Sequence, residues 1–325
     1  MKLKIGSYEL PTNIIMAPMS GCTDLPFRLV AREEGATLCF FEMVDCNSLR
    51  RASLRTLGSL LLTSPEDRPV AAQLVGADPG AMAEGAQILL EHVAVPFLDI
   101  NAACPVNKVT KKKAGAYLLQ KPLVLSRIIK RLVKETKLPV TVKLRIGYEK
   151  YVKKELIKII KTCEESGVSA IFIHGRTMAQ LYHSEVNYDA IKVVKDNAGV
   201  PVFGSGNIMS PELAKKMFDL TGVDGVMVAR GGLGNPWLFR EIEHYLATGE
   251  LLPPPSMEKR KEVIKRHLDY EDKYRSPHSK HRVGVMRKIT LWYLKKFHGA
   301  AHFRDRVNRI ASYEEMLQLI DEVGT

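Results

Sequence analysis

The chain has 325 residues, 46% of them hydrophobic, and a formal net charge of +12. That length holds one large α/β domain and a smaller one. No apolar run approaches the ~20 residues of a membrane span, so no membrane partner is expected. Five cysteines, at 22, 39, 46, 104 and 163, show no CxxC spacing, which argues against a disulfide framework and predicts no metal. The opening Met1-Lys2-Leu3-Lys4-Ile5 lacks the apolar stretch of a signal peptide, and a reduced, cytoplasmic location is the expectation.

Short β-like runs alternate with segments of helical period. Strands are predicted at 14–17, 39–42, 70–74, 97–101, 140–144, 170–173, 202–204 and 225–228. Helices are predicted at 25–34, 79–91, 122–135, 153–166, 188–197 and 211–218, with a further helical stretch after Asp45. Eight strands with helical crossovers give an α/β fold of the TIM (β/α)8 barrel type. A doubly wound sheet is the alternative, but the turn after its first strand would carry GxGxxG, and here it reads Ala17-Pro18-Met19-Ser20-Gly21.

A last barrel helix is expected at 236–247. Three consecutive prolines at 253–255 then make a stiff spacer. The chain beyond the spacer is helical in period, with stripes Val263, His267, Tyr270 and Met286, Ile289, Trp292, Tyr293, Phe297, read as the core of a small C-terminal all-α bundle. The expected division is therefore a catalytic barrel over 1–248, a proline-rich linker over 249–256 and a helical domain over 257–325. Between Lys273 and Arg309 stand eleven lysines and arginines against the single acid Asp305. His278, His281, His298 and His302 add further donors. One-signed density of this kind predicts a polyanion, and nucleic acid over an anionic membrane because no strongly apolar face accompanies it.

In a barrel, the carboxyl ends of the strands converge on one mouth. The residues that arrive there are Pro18, Met19 and Ser20; Gln73; Asn101 and Cys104; Lys143 and Arg145; His174 and Arg176; Ser205, Gly206 and Asn207; and Ala229, Arg230, Gly231 and Gly232. The last two groups are small, Gly-rich and at strands seven and eight, where barrels bind phosphate through backbone N–H groups. Cys104 follows an apolar strand and is stopped by Pro105, with the basic run from Lys108 to Lys113 just beyond. A free cysteine is often an inert filler, but at a strand end it is placed for chemistry. Lys143 puts a charge on an apolar strand, which is costly without a partner. Asp99 or Glu42 would serve as a salt bridge. A flavin explains it better, since a cation at the pyrimidine edge favours the anionic reduced ring, and the Gln73 amide suits the same edge.

Several segments in order resemble the tRNA-dihydrouridine synthase family. They are the turn from Ala17 to Arg28, Ala72-Gln73-Leu74, the run from Asp99 to Pro105, Ala114-Gly115-Ala116, Val142-Lys143-Leu144-Arg145, Ile173-His174-Gly175-Arg176-Thr177 and Gly234-Asn235-Pro236-Trp237. The linker and the tail around Met286-Arg287-Lys288 look most like its bacterial B-type branch. The resemblance implies reduction of a uracil C5=C6 bond in tRNA, at a D-loop uridine, by FMN that NADPH (or NADH) reduces. Hydride would come from the flavin to C6 and a proton from Cys104 to C5. It further implies FMN contacts from Pro18, Met19, Ser20, Gln73, Lys143, His174, Ser205, Gly206, Asn207, Ala229 and Arg230. RNA or uracil contacts would come from Asn101, Arg145, Arg176, Lys108, Arg282, Arg287 and Lys288, in a monomer. Four positions depart from the family pattern: Ala103 where Gly is common, Ser205 and Asn207 in Ser205-Gly206-Asn207 where Asn-Gly-Asp is common, and Ala229 for Gly. Two rival functions are an FMN-dependent dehydrogenase of free pyrimidines, which leaves the basic tail unexplained, and a non-catalytic tRNA-binding protein, which leaves Cys104, Lys143, Gln73 and Arg230 without a purpose.

Overall fold

All eight apolar runs become parallel strands in the computed structural model, which describes residues 3–274, 282–296 and 300–323. They are β1 (Ile14–Met16), β2 (Cys39–Phe40), β3 (Val70–Val75), β4 (Leu98–Ala102), β5 (Val140–Arg145), β6 (Ala170–His174), β7 (Val202–Ser205) and β8 (Gly225–Val228). Each pairs with the next from β2 to β8, and β8 pairs with β1. A bridge between Ile15 and Leu38 closes the ring. A short strand at Val44–Asp45 adds to the edge of β3. The fold is thus the expected barrel.

Strands such as β3 and β4 are buried at every residue, as parallel strands with covered faces must be. Their inward side chains, among them Phe40, Phe97, Phe172, Phe203 and Met227, fill the interior. Outward aliphatics pack under the helices. A hairpin of Lys4–Ile5 and Tyr8–Glu9, unanticipated in the sequence because its strands are two residues each, stoppers the amino end through Ile5 and Leu10. The carboxyl end of the barrel is left open for ligands.

Helix starts follow their caps. The side chains of Asp24, Asp78 and Ser210 accept from the third residue on, and Pro follows in the first turn, the usual chemistry of a helix N-terminus. After the barrel's last helix, Leu238–Thr248, and the spacer come Met257–Tyr274, Arg282–Tyr293, Ala300–Arg309 and Tyr313–Asp321. Val263, His267, Met286, Ile289 and Tyr293 of the predicted stripes are buried. Arg275, His278, Lys280, His281, Phe297 and His298 lie outside the described residues.

The tail's core also takes in Val30 and Trp237 of the barrel. At Gly234, φ is +69° and a Cβ would stand 2.3 Å from the Trp292 backbone, so only glycine permits this contact. His267 sits in the same seam with its Nδ1 3.1 Å from the Tyr293 hydroxyl. Ligand-type atoms of His267, Asp24 and Glu271 lie within 4.8 Å of one another. Burial pulls the imidazole down to about 4, against the opposing pull of Asp24.

The unfolded chain protonates this group near pH 6.5, so between pH 6.5 and 4 it binds more protons than the folded one. Stability from this group is complete above pH 6.5 and is lost as pH falls towards 4, by about 3 kcal/mol at most. Urea midpoints measured across this window should fall less steeply for His267→Gln than for the wild type. Parallel curves would assign the acid sensitivity to other groups.

Candidate active site

A cavity of about 400 Å³ opens at the carboxyl ends of the strands. Every mouth residue expected from the strand ends lines it except Gly232. Lys143, Arg145, Arg176 and Arg230 contribute four cations, with no carboxylate among the described lining residues. Burial, then Arg145, Lys143, Arg176 and Arg230, hold the His174 imidazole well below its ordinary range. Such a field favours an anion.

On one wall the chain turns tightly after β7. Gly206 has φ +125°, and a Cβ there would meet Val186 and His174. Asn207 is left-handed at φ +52°, a conformation Asn tolerates. Its Oδ1 accepts from Arg176 Nη2 at 3.0 Å, and Ser205 Oγ accepts from Lys143 Nζ at 3.1 Å. The Ser205 and Asn207 side chains therefore hold two of the four cations, Lys143 and Arg176. Neither Asp99 nor Glu42 hydrogen-bonds Lys143. Asp99 accepts from Thr141 and Gln73, and Glu42 accepts from the Gly21 N–H at 2.8 Å. Burial lowers the Lys143 pKa, and the nearby Asp99 charge opposes that fall.

Cys104 stands on the opposite side. Asn101 Oδ1 accepts from the backbone N–H groups of Ala103 and Cys104 at 3.1 and 2.9 Å. Arg145 Nε donates to Ala103 O at 2.8 Å, and its Nη1 to Thr177 O and Leu181 O. Gly115 lies against the turn, where a Cβ would be 2.8 Å from Cys104 O, and Ala116 N–H donates to that oxygen. Ala103 has no left-handed φ, so alanine fits where the family often has glycine. Burial pushes the Cys104 thiol above its ordinary value, with the Val106 N–H and Arg145 opposing. Cys39, Cys46 and Cys163 are sealed in the core and pushed up to about 12.

Sequence patterns passed over several lining residues, including Cys22, Met43, Tyr182 and Met209. Tyr182 packs its ring under the Arg230 and Arg145 guanidiniums, 4.6 and 5.5 Å away. Its place in the loop just after His174-Gly175-Arg176 was the available signal. Four residues expected to contact RNA lie outside the cavity. Lys108 is exposed outside the cavity lining. Arg287 donates to Ile310 O, Lys288 donates to Gly21 O and stacks on Trp292, and Arg282 pairs with Asp272.

The residues present fit a flavin mononucleotide. Backbone turns at Gly206 and Gly231 leave no room for a side chain, and the cavity offers in His174, Arg176, Arg230 and Lys143 the kinds of donor that a phosphate and a flavin ring require. A closed (β/α)8 barrel with this mouth defines the class: a barrel enzyme that takes a phosphate-bearing cofactor. The dihydrouridine synthase family model matches residues 15–324, and the chain belongs to that family. It is 37% identical over 308 residues to tRNA-dihydrouridine synthase B of Pseudomonas aeruginosa, covering 95% of this chain and 91% of that one. It is 37% identical over 320 residues to the Escherichia coli K12 protein of the same name, covering 98% of each. The fold is also similar to that of an old yellow enzyme homologue from Zymomonas mobilis, with a TM-score of 0.56 at 13% identity over 80% of this chain and 95% of the other.

Proposed function

We propose that the chain reduces a D-loop uridine of tRNA to 5,6-dihydrouridine, with FMN as cofactor and NADPH as reductant. The observation that carries this is the thiol of Cys104 at a cavity rich in cations and free of acids among the described lining residues. Bound reduced flavin supplies the hydride for uracil C6. Cys104 supplies the proton for C5, and its raised pKa keeps the thiol protonated at neutral pH. The Asn101 and Arg145 hydrogen bonds hold the backbone that carries it. Lys143 would hold the pyrimidine edge of the flavin, beside Gln73. His174, Arg176 and Arg230 would hold its phosphate, and that anion would lift His174 towards its usual range. The target base must leave its stack to reach the mouth.

A free-pyrimidine dehydrogenase leaves the tail idle, whereas the family match runs through it to residue 324. We place the boundary at 249–256, with a barrel before it and an RNA-binding helical unit after it. A buried cluster drawn mainly from the helical unit, joined by Val30 and Trp237 of the barrel, supports that division. Among the described residues no helix is long and apolar enough to cross a membrane, and we propose a monomer acting in the cytoplasm. Incubation with NADPH and unmodified tRNA should add two hydrogens to one uridine, read by nucleoside mass spectrometry. Reduction of free uracil with tRNA left unchanged would overturn the proposal.

Because Arg282, Arg287 and Lys288 have partners within the chain, a tail test is better made at Lys273, Lys295 and Arg304, which are exposed. Replacing all three with Ala should weaken tRNA binding roughly tenfold or more and flatten its log–log salt slope by ~2. Flavin content should be unchanged. An unaltered salt titration would move the RNA grip to the rim, where Lys111 and Lys113 are exposed.

A further inference from the structure

Asp99 takes no part in the chemistry above, yet it is fully buried in the middle of β4. In the sheet register it stands between Gln73 of β3 and Thr141 of β5. Thr141 Oγ1 donates to its Oδ1 at 2.7 Å, and Gln73 Nε2 to its Oδ2 at 2.6 Å. An ionised carboxylate only accepts hydrogen bonds, whereas an amide has one donor end and one acceptor end. Asp99 therefore forces Gln73 to turn its nitrogen inward. That leaves Gln73 Oε1 facing Asn101, whose Nδ2 donates to it at 2.7 Å. Asn101 is then obliged to present Oδ1 to the N–H groups of Ala103 and Cys104. With either amide reversed, donor would meet donor in a buried site.

We propose that Asp99 is a positioning residue: its carboxylate sets the direction of the Gln73–Asn101 amide relay, and so fixes the backbone that carries Cys104. The inference rests on the reading of Cys104 as the proton donor for its importance to the reaction, but not for its test. The bland alternative is that Asp99 is only a counter-charge near Lys143, with the amides free to turn.

The two accounts separate in a reversal experiment. Asp99→Asn removes the group that dictates direction. Asn101→Asp places carboxylates at both ends of Gln73, whose single amide nitrogen cannot satisfy both. The double variant Asp99→Asn/Asn101→Asp restores a complete relay running the other way, with the same atoms and net charge. Asp at position 101 accepts from the two backbone N–H groups and from Gln73, and Gln73 accepts from Asn at position 99.

The readout is amide hydrogen exchange at residues 103 and 104 in the flavin-loaded protein, together with alkylation of Cys104 by iodoacetamide followed at the peptide level. Each single variant should exchange about tenfold faster at these amides and alkylate at an altered rate. The double should return towards wild type in both. Exchange in the double no slower than in the singles, or wild-type exchange in Asp99→Asn, overturns the proposal. A double that folds no better than a misfolded single counts against it equally. Since uridine reduction is not the readout, a failure of Cys104 as the acid would leave this result standing.

Discussion

Protein carrying Cys104→Ala is expected to bind FMN and accept electrons from NADPH at close to the wild-type rate, and to form dihydrouridine ~10²–10⁴-fold more slowly. The separation comes from where the thiol sits. Lys143, Ser205, His174, Arg176 and Arg230 are on β5 to β8 and their loops, while Cys104 lies beyond β4 on a turn fixed by Asn101 and Gly115. Removing the sulfur leaves the cationic wall untouched. Only the half-reaction that puts a proton on C5 loses a group. Rapid-mixing absorbance resolves the two halves: flavin bleaching by NADPH first, then its recovery on adding unmodified tRNA. Cys22 also lines the cavity, with its thiol raised by burial, so Cys22→Ala is the matched control and should retain both halves. Full tRNA-dependent recovery in Cys104→Ala would reduce Cys104 to a packing residue.

The barrel and the mouth were legible because both obey short-range rules. Apolar runs three to five residues long, separated by capped helices, can bury themselves on both faces only as inner parallel strands. Strand ends then name the mouth without any knowledge of side-chain geometry. Partnership was less legible. Asp99 and Glu42 looked equally able to pair with Lys143, but the register sets Asp99 against Thr141 and Gln73. Glu42 is drawn off by the Gly21 N–H.

Partnership among the tail cations was hidden for a related reason. Charge density along the chain does not reveal which arginines bond a helix end, as Arg287 does at Ile310. Tyr182 was missed because its loop has no period to announce it. The amino-terminal hairpin was missed because two-residue strands carry no alternation.

Lys143→Ala should have the second large effect, on the flavin itself. The ammonium lies part-buried at the cavity, bonded to Ser205 Oγ. Burial lowers its pKa, Asp99 raises it and Arg145 lowers it further. A cation in that setting is held at a cost, and a ligand that shares the charge removes the cost. Its loss should lower flavin content in the purified protein. Reduction by NADPH of the flavin that remains should slow by roughly 10²-fold, the scale seen when a preorganised donor to a developing anion is removed. The pH profile gives a second check with a fixed sign. The lysine works in its protonated form, so flavin reduction by the wild type should fall as pH rises through the alkaline range in which the ammonium loses its proton. Lys143→Arg keeps its charge throughout and should lack that alkaline limb. Normal flavin content and normal reduction in Lys143→Ala would take Lys143 out of the cofactor site and leave His174, Arg176 and Arg230 to hold the flavin by its phosphate alone.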